Sequence, residues 1–398
     1  MNSFKRITAS LESLKTPFYL YDKRKIAKSI QKLKDCFWED NYKILYAMKA
    51  NSNIVIIKLM GDAGFGIDAC SNEEVRLSFL CGIKSKAIHY NADCMSPDEI
   101  DFAIRNKINL TIGSMDALTY VSNRYSDIKI SIRINTGVGA GHSDKVITNG
   151  EYSKFGFHPS ELDDVRILCD VSSLTICGLH THTGSGDMDI SGYINSARVL
   201  AVISSSFPLL EFLNFGGGFG FDYKNGDEYN IDGIHSFLNQ LRSEFQISDD
   251  VNFIIEPGRY LVADSGVLIS KISSIKYHPA RSFIGLDTGY NHFARCFYYG
   301  AWHKIENITR SDSELTTYDV VGYLCQSGDV FARDRILPKS QVGDLICIQD
   351  VGAYGFSMSS GFNSRVKPGE YLLEEDGQIR MIRRPEKFED IVSTFILD

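Results

Sequence analysis

The amino-acid sequence predicts an α/β fold in which a (β/α)8 barrel, a TIM barrel, is joined to a second, mostly β domain. Three observations support this prediction. From Tyr42 to Pro257, short apolar runs alternate with amphipathic stretches of helix length, which is the rhythm of repeated βα units. The candidate strands number eight, which is the number that closes such a barrel. Beyond Leu268 the chain changes to β-rich segments with few long helical patterns.

The candidate barrel strands are short and apolar. In chain order they are KILYAMKA (43–50), GIDAC (66–70), AIHYNA (87–92), LTIGS (110–114), KISIRIN (129–135), LTICGLHTH (174–182), FLNFGGG (212–218) and FIIEPG (253–258). Between them, NIVIIKLMGDAG and SNEEVRLSFLCG have helical periodicity, and the second opens with Ser71 as a suitable N-cap and ends in a glycine. These two segments are the expected crossover helices.

The β domain is assigned to residues 1–22 and 265–398, and the barrel to residues 23–264. The candidate strands of the β domain include RSFIGLD, YDVVGYL and GDLICIQD. The extended segment PFYLYD (17–22) precedes the first barrel strand and could pair with them. That pairing would tie the two ends of the chain together.

Composition excludes several classes of function. A formal net charge of −8 argues against a nucleic-acid surface, because phosphate binding needs a basic face and no Lys/Arg run stands out. No stretch is apolar enough for a signal peptide or a membrane span, so we expect a cytoplasmic protein without a membrane partner. Nine cysteines without a CxxC pair fit neither a zinc site nor a disulfide framework, and we expect no metal.

Polar residues gather at the ends of the candidate strands. In a barrel of parallel strands, the catalytic groups come from the C-terminal strand ends. The residues there are Lys49, Asp68, Arg133, His182, Ser185, Gly216, Gly217, Gly218, Glu256 and Arg259. Together these cations, carboxylates, glycines and an imidazole indicate a site for an anionic aromatic cofactor.

Lys49 lies in the apolar segment YAMKA, where an ammonium is costly unless it is paired or chemically consumed. A Schiff-base lysine meets this condition, and a lysine that snorkels at the strand end is the alternative. The glycines of GGGFG (216–220) leave backbone N–H groups open to a phosphate. A tight turn would use the same residues.

Two further segments carry candidate site residues. In HTHTGS, the imidazole of His182 can lie flat on an aromatic ring while the hydroxyl of Ser185 binds phosphate. The HxH spacing also allows a metal site or a structural histidine pair, but no third zinc ligand is evident nearby. In EPGR, Glu256 could keep a pyridine nitrogen protonated and Arg259 could bind phosphate. A surface ion pair is the alternative for EPGR.

Taken together, these motifs resemble the fold-type III PLP-dependent decarboxylases, which share an alanine-racemase-like barrel and a β domain. The likeness runs from TPFYLYD (16–22) onward and is greatest to bacterial diaminopimelate decarboxylases. The segments that carry it are YAMKANSN (46–53), GAGHSDKVITNGEYSKFG (139–156), HTHTGSG (180–186), NFGGGFG (214–220), EPGRYLVADSG (256–266), VVGYLCQSGDVFARD (320–334) and GAYGFSMSSGFNSR (352–365). The resemblance implies pyridoxal 5′-phosphate (PLP) as cofactor and loss of CO2 from an amino acid as reaction.

The resemblance also implies residue roles. Lys49 would carry the cofactor as a Schiff base, His182 would stack on its ring, and Glu256 would keep the ring nitrogen protonated. The other cofactor-binding residues would be Asp68, Arg133, Ser185, Gly216, Gly217, Gly218, Arg259 and Tyr354. Because this family completes its site across a homodimer interface, Cys325 of the partner subunit would protonate the carbanion left by CO2 loss.

The sequence departs from its relatives at positions near the substrate. In diaminopimelate decarboxylases an arginine and a tyrosine of an RPxxY segment help to hold the distal carboxylate, and a CESGD glutamate pairs with the distal ammonium. Here Arg295 and Tyr299 are present without the proline, and Gln326 replaces the glutamate. A neutral amide attracts an ammonium less, since charged hydrogen bonds contribute about 1.5–3 kcal/mol. The remaining departures are Thr288, His292, and Gly361 with Phe362.

These departures predict the same reaction on a modified amino acid. Examples are a 3-amino-3-carboxypropyl group in peptide-nucleotide antibiotic maturation, or a siderophore precursor. meso-Diaminopimelate is the main alternative, and ornithine-like or D-amino-acid substrates are others. A non-catalytic PLP-binding protein would not need Cys325, and a racemase of the same fold would lack the CxSGD and GAYGxSMSS segments.

Overall fold

The computed structural model describes residues 11–39, 41–310 and 314–396. The chain divides into two compact units. The barrel unit consists of Ser29–Asp222 and Asp227–Leu261, and the β-rich unit consists of the described parts of Met1–Lys28, Tyr223–Gly226 and Val262–Asp398. Residues 1–10, 311–313 and 397–398 of the predicted β domain lie outside the described residues. The predicted domain limits, 23–264 for the barrel and 1–22 with 265–398 for the β domain, stay a prediction.

The barrel unit contains a closed barrel of eight parallel strands, which confirms the prediction. After β1 (Phe18–Asp22), which belongs to the β-rich unit, the barrel strands are β2 (Tyr42–Ala47), β3 (Gly66–Ala69), β4 (Ile88–Asn91), β5 (Asn109–Ile112), β6 (Lys129–Arg133), β7 (Thr175–His180), β8 (Phe212–Asn214) and β9 (Asn252–Ile255). Each strand is shorter than the apolar run that predicted it. The last residues of each run leave the ladder and form the loops at the C-terminal strand ends.

Helices follow β1 and the barrel strands, and five of them begin at a side chain that caps the first turn. Their bounds are α1 (Lys23–Phe37), α2 (Ile54–Asp62), α3 (Asn72–Leu80), α4 (Pro97–Arg105), α5 (Met115–Arg124), α6 (Leu162–Val171), α7 (Ser191–Ser204), α8 (Ile231–Glu244) and α9 (Arg259–Val262). As predicted, the Ser71 hydroxyl caps α3 by accepting from the amide of Glu74, 3.1 Å away. Across the described ranges, we find no helix whose length and apolar character would let it cross a membrane.

The interior of the barrel has an apolar layer below a polar one. Leu45, Cys177, Phe212 and Ile254 form a buried cluster. Side chains two residues apart on a strand share a face, so Asn214 follows Phe212 and Glu256 follows Ile254 toward the C-terminal end of the barrel. The apolar layer therefore closes the barrel beneath the polar residues.

The β-rich unit is built on a nine-stranded mixed sheet. Besides β1, its strands are β10 (Gly266–Tyr277), β11 (Ser282–Leu286), β12 (Ile305–Asn307), β13 (Leu315–Val321), β14 (Val330–Pro338), β15 (Leu345–Gln349), β16 (Gly369–Leu373) and β17 (Ile379–Arg383), and its helices are α10 (Arg295–Tyr299) and α11 (Phe388–Val392). The segments RSFIGLD, YDVVGYL and GDLICIQD contribute β11, β13 and β15, as predicted.

Strand β1 lies in the middle of this sheet. It runs antiparallel to β10, with Phe18 opposite Ile269, and parallel to β16, with Phe18 opposite Gly369. Phe18 and Leu20 are buried in one core with residues of β10, β15 and β16. The prediction that PFYLYD pairs within the β domain is confirmed.

Candidate active site

Lys49 lies just beyond the end of β2. The sequence placed it inside a strand over residues 43–50, and this was wrong. Ala47 opposite Asp68 is the last pair of the ladder with β3, and the chain then forms a single 3₁₀ turn, Met48–Ala50. The Lys49 ammonium pairs with Asp68, with 2.5 Å between Nζ and Oδ2. Lys49 is therefore paired with a buried carboxylate. A lysine that snorkels to solvent would have no such partner.

Asp68 is one of two buried carboxylates that Asn91 joins. From the end of β4, Nδ2 of Asn91 donates to Oδ1 of Asp68 at 3.0 Å and to Oε1 of Glu256 at 2.7 Å. Burial raises the pKa of Asp68, and the charge of Glu256 raises it further, while Lys49 lowers it. Asp68 thus depends on its neighbours to stay ionised.

Glu256 follows β9 and has further partners. Nε2 of His180 lies 3.3 Å from its Oε2, and Nδ2 of Asn214 donates to its Oε1 at 2.6 Å. Burial alone would raise the pKa of Glu256, but His180 and Lys49 bring the pKa below its ordinary value. The barrel end therefore holds a negative charge that persists at neutral pH.

The EPGR segment is not a surface ion pair, so that alternative is wrong. Glu256 and Arg259 are both buried, and they have different partners. Nη2 of Arg259, at the start of α9, donates to Oγ of Ser185 at 3.0 Å. Arg133, the last residue of β6, pairs with Asp93 at 2.9 Å. Two guanidinium groups thus stand at this end of the barrel, each fixed by a side chain.

His182 is a neutral imidazole beside the glycine-rich loop. Its Nδ1 accepts a hydrogen bond from the backbone N–H of Gly217, 3.1 Å away. Burial lowers the pKa of His182 well below its usual value, and the positive charges of Lys49 and Arg133 act in the same direction. An uncharged, flat ring suits stacking against an aromatic cofactor better than an imidazolium would.

The loop 216–218 can be made only from glycines. Gly216 and Gly218 have φ values of +69° and +95°. A Cβ on Gly217 would lie 1.9 Å from the carbonyl oxygen of Glu256. Residues 216–218 form no hydrogen-bonded turn, and their bare backbone is what a phosphate needs, which favours the phosphate interpretation of GGGFG.

The two histidines of HTHTGS have separate partners. His180 contacts Glu256, whereas His182 contacts Gly217. Within the described part of the chain, no group of three or more His, Cys, Asp or Glu residues is arranged to hold a metal ion. The histidines therefore act singly, one on a carboxylate and one beside the glycine loop.

The other candidate residues lie in the β-rich unit. They are Arg295 and Tyr299 at the two ends of α10, Cys325 and Gln326 in the turn between β13 and β14, and Tyr354 after β15. Nη1 of Arg295 lies 2.8 Å from Nε2 of His303, and its guanidinium lies 4.3 Å from the centre of the Tyr223 ring. Sγ of Cys325 accepts from Nδ2 of Asn363 at 3.3 Å, and Cys325 is exposed.

Three residues of the barrel site were missed by the sequence analysis. Asn91 and Asn214 bind Glu256, and His180 was not expected to do so. Each is a polar side chain inside an apolar run, at the residue that proves to be the last of its strand. This signal does not single them out, because polar residues are common near strand ends.

This barrel end has the features of an enzyme that holds an anionic aromatic cofactor on a lysine. A sequence profile described as "Pyridoxal-dependent decarboxylase, pyridoxal binding domain" matches residues 23–263. The chain belongs to this family; it is a fold-type III carboxy-lyase, and its cofactor is PLP. The predicted fold class, cofactor and enzyme class are confirmed.

The relatives are similar over nearly the whole chain. The diaminopimelate decarboxylase of Methanothermobacter thermautotrophicus is 34% identical over 392 residues, which cover 95% of this chain and 91% of the relative. One from Helicobacter pylori is 36% identical over 389 residues, 95% of each chain. The crystal structure of Helicobacter pylori diaminopimelate decarboxylase complexed with L-lysine matches with a TM-score of 0.90 and 34% identity, covering 97% of this chain and 98% of that one. These names favour diaminopimelate over the modified substrate that the sequence analysis placed first.

Proposed function

We propose that the protein removes one carboxylate of meso-diaminopimelate as CO2 and forms L-lysine. The observation that supports this substrate is the likeness, at 30–36% identity over at least 95% of the chain, to proteins named diaminopimelate decarboxylase. Arg295 would bind the distal carboxylate with a guanidinium that His303 already fixes, and Tyr299 would assist it.

The barrel residues fit PLP. Bound there, PLP supplies an electron sink for the carbon that loses CO2. Lys49 would attach it covalently, with Asp68 as the counter-ion of the lysine nitrogen. His182 would lie against its ring as a neutral imidazole. Glu256, which stays ionised, would hold a proton on the ring nitrogen.

The phosphate of PLP would lie at the glycine loop. A Cβ at Gly218 would come within 2.5 Å of the carbonyl oxygen of Gly184, so this stretch of backbone is bare. The Ser185 hydroxyl and the Arg259 guanidinium contact each other and can both donate to phosphate oxygens. The other proposed contacts are Gly216, Gly217, Arg133 and Tyr354.

The proton donor would be Cys325 of the partner subunit in a homodimer. Cys325 is exposed at the turn between β13 and β14, where a second chain could cover it. The amide of Asn363 holds its Sγ in place. A thiol fixed in this way can return a proton to the carbon from which CO2 has left.

A second candidate is a modified amino acid whose distal end is not an ammonium. It is favoured by the surroundings of Gln326, whose Oε1 accepts from the hydroxyl of Tyr290 at 2.9 Å. The Tyr290 ring stacks on Phe297 at 4.3 Å and on Phe362 at 5.7 Å. None of these four side chains offers a carboxylate to an ammonium, and the aromatic rings can also pack against a neutral or aromatic distal group.

Turnover of meso-diaminopimelate by the PLP-loaded wild-type protein tests the proposal. We expect CO2 and L-lysine in equal amounts, with kcat/KM in the range of about 10⁴ to 10⁸ M⁻¹s⁻¹ that is usual for enzymes on their own substrates. L-Ornithine and D-lysine serve as control substrates. A protein that binds PLP yet releases CO2 from meso-diaminopimelate no faster than from L-ornithine would contradict the proposed substrate and favour the second candidate.

A further inference from the structure

Asn91 occupies the space between the two carboxylates of the barrel site. It is the last residue of β4, it is buried, and its Nδ2 donates to both Asp68 and Glu256. An amide nitrogen carries two hydrogens. Each hydrogen is therefore used on a different carboxylate, and Asn91 is the neutral link between the acid that pairs with Lys49 and the acid at the end of β9.

A chain of hydroxyls fixes which way this amide faces. The hydroxyl of Thr111 on β5 donates to Oδ1 of Asn91. Its own oxygen lies 2.8 Å from Oγ of Ser131 on β6, and Ser131 donates to the carbonyl of Leu110 at 3.1 Å. With its oxygen held by Thr111, the amide can present only its N–H groups to the carboxylates.

Two buried carboxylates repel each other, and a neutral donor stabilises both without adding charge. Burial and the charge of Glu256 raise the pKa of Asp68, and the hydrogen bond from Asn91 is one of the contacts that lower it. A cation in place of Asn91 would instead compete with Lys49 for Asp68. An amide avoids that competition.

We propose that Asn91 is a positioning residue of the decarboxylation, which keeps Glu256 ionised and in place while it holds Asp68 against Lys49. The proposal rests on the role proposed above for Glu256. It separates Asn91 from Asn214, which donates to the same oxygen of Glu256 but has no hydrogen bond to Asp68 among the described contacts. Asn214 therefore provides a matched control.

Two measurements on Asn91→Ala and Asn214→Ala test the proposal. The first is the pH profile of kcat with PLP-saturated enzyme. Loss of a donor to Glu256 should lower kcat about ten- to hundredfold in both variants, leave KM within about threefold, and move the acid limb of the profile to higher pH.

The second measurement is the pH dependence of the rate at which the full-length apoprotein captures PLP at Lys49, followed by absorption. Without Asn91, Asp68 keeps its proton to higher pH and stabilises the Lys49 ammonium less. The midpoint should move to lower pH by about one unit in Asn91→Ala and should stay at the wild-type value in Asn214→Ala. Equal midpoints in the two variants, or an unchanged profile of kcat in Asn91→Ala, would overturn the proposal.

Two further variants keep the outcome clear. Thr111→Val removes the hydroxyl that orients the amide at almost constant volume, and it should shift both measurements in the same direction by a smaller amount, which tests the proposal even if Asn91→Ala does not fold. Glu256→Gln tests the role of Glu256 itself. If Glu256→Gln keeps the wild-type kcat, the proposed role of Glu256 is wrong. If the kcat of Glu256→Gln falls while that of Asn91→Ala does not, only the proposed role of Asn91 is wrong.

Discussion

Glu256 shows how a residue at the end of a barrel strand can stay charged while it is buried. Desolvation disfavours a lone carboxylate by several kcal/mol. Here two amides donate to one of its oxygens, and His180 lies beside the other. The cations of the site add to this, and the result is an ionised group that water does not screen.

Gln326 is the residue on which the choice between the two candidate substrates depends. Gln326→Glu is nearly isosteric and restores a charge at the turn after β13. If the natural substrate lacks a distal ammonium, this variant should raise kcat/KM for meso-diaminopimelate about ten- to hundredfold, the scale of one charged hydrogen bond. Release of CO2 from meso-diaminopimelate by both proteins gives the measurement.

The control for this prediction is Gln378→Glu, which makes the same change of charge at an exposed turn after β16. It should leave kcat/KM unchanged. If the wild type already turns over meso-diaminopimelate efficiently and Gln326→Glu adds nothing, the second candidate substrate is wrong and the glutamine is simply tolerated.

The charged residues of the site could be predicted from the sequence, but the neutral ones could not. Lys49, Asp68 and Glu256 stand out because a charge at the end of an apolar run needs a reason. Asn91 and Asn214 resemble any polar residue near a strand end, and their importance appears only once four strands bring them to one carboxylate. Similarly, His303 and Tyr223 could not be linked to Arg295 by their positions along the chain.

At the scale of elements, the glycine loop after β8 is the least replaceable segment of the barrel. Gly217→Ala should weaken PLP binding about tenfold or more, because its Cβ would overlap the backbone at Glu256 and such overlaps cost about 1–3 kcal/mol. Equilibrium dialysis against PLP measures the dissociation constant. Gly361→Ala, with nothing within 4 Å and φ of −89°, is the control and should bind PLP like the wild type. Equal affinities for PLP in all three proteins would show that the loop accommodates the added Cβ without weakening PLP binding.

Asp350, directly after β15, makes the stability of the β-rich unit depend on pH. Burial raises the pKa of Asp350 to about 6, although Lys25 opposes this. The pKa of an aspartate in the unfolded chain is near 3.9. Between this pH and about pH 6, the unfolded chain has released a proton that the native protein keeps, so stability falls as the pH rises through this window. Above pH 6 the native protein bears the full cost of a buried charge.

Asp350→Asn should therefore raise the free energy of unfolding at pH 8 by roughly 1–3 kcal/mol, and the gain should largely disappear at pH 4. Asparagine also tolerates the φ of +60° at this position. Thermal melts at the two pH values measure the effect. An equal gain at both would mean that something other than the charge is responsible.

The elements themselves were largely predictable, whereas their ends were not. All eight barrel strands lie within or next to their apolar runs because both faces of a parallel strand are buried. Several runs extend too far because apolar residues also follow the strand, as Met48, Ile134 and Phe215 do. Ala47 and Met48 are both buried, yet only Ala47 remains in the ladder.

At the scale of the whole molecule, the proposed shared site predicts complementation. Lys49→Ala and Cys325→Ala should each be inactive alone. A heterodimer of the two, co-expressed and purified through two different tags, has one wild-type site and should recover about half of the wild-type activity. CO2 release per dimer is the measurement, and a Lys49→Ala dimer carrying both tags is the control. An inactive heterodimer that still binds PLP at one site would exclude a proton donor from the partner subunit.

Strand β1 determines the order in which the protein can be completed on the ribosome. Its two edges are occupied by β10 and β16, and the first of these follows roughly 240 residues later, about 12 to 50 seconds at 5–20 residues per second. All eight barrel strands are made in that interval. The nascent chain thus carries an unpaired, apolar strand while its barrel assembles, and this strand is where a chaperone would be needed longest. Synthesis of the β-rich unit begins before that of the barrel, but its sheet can be completed only after all the barrel strands have been made.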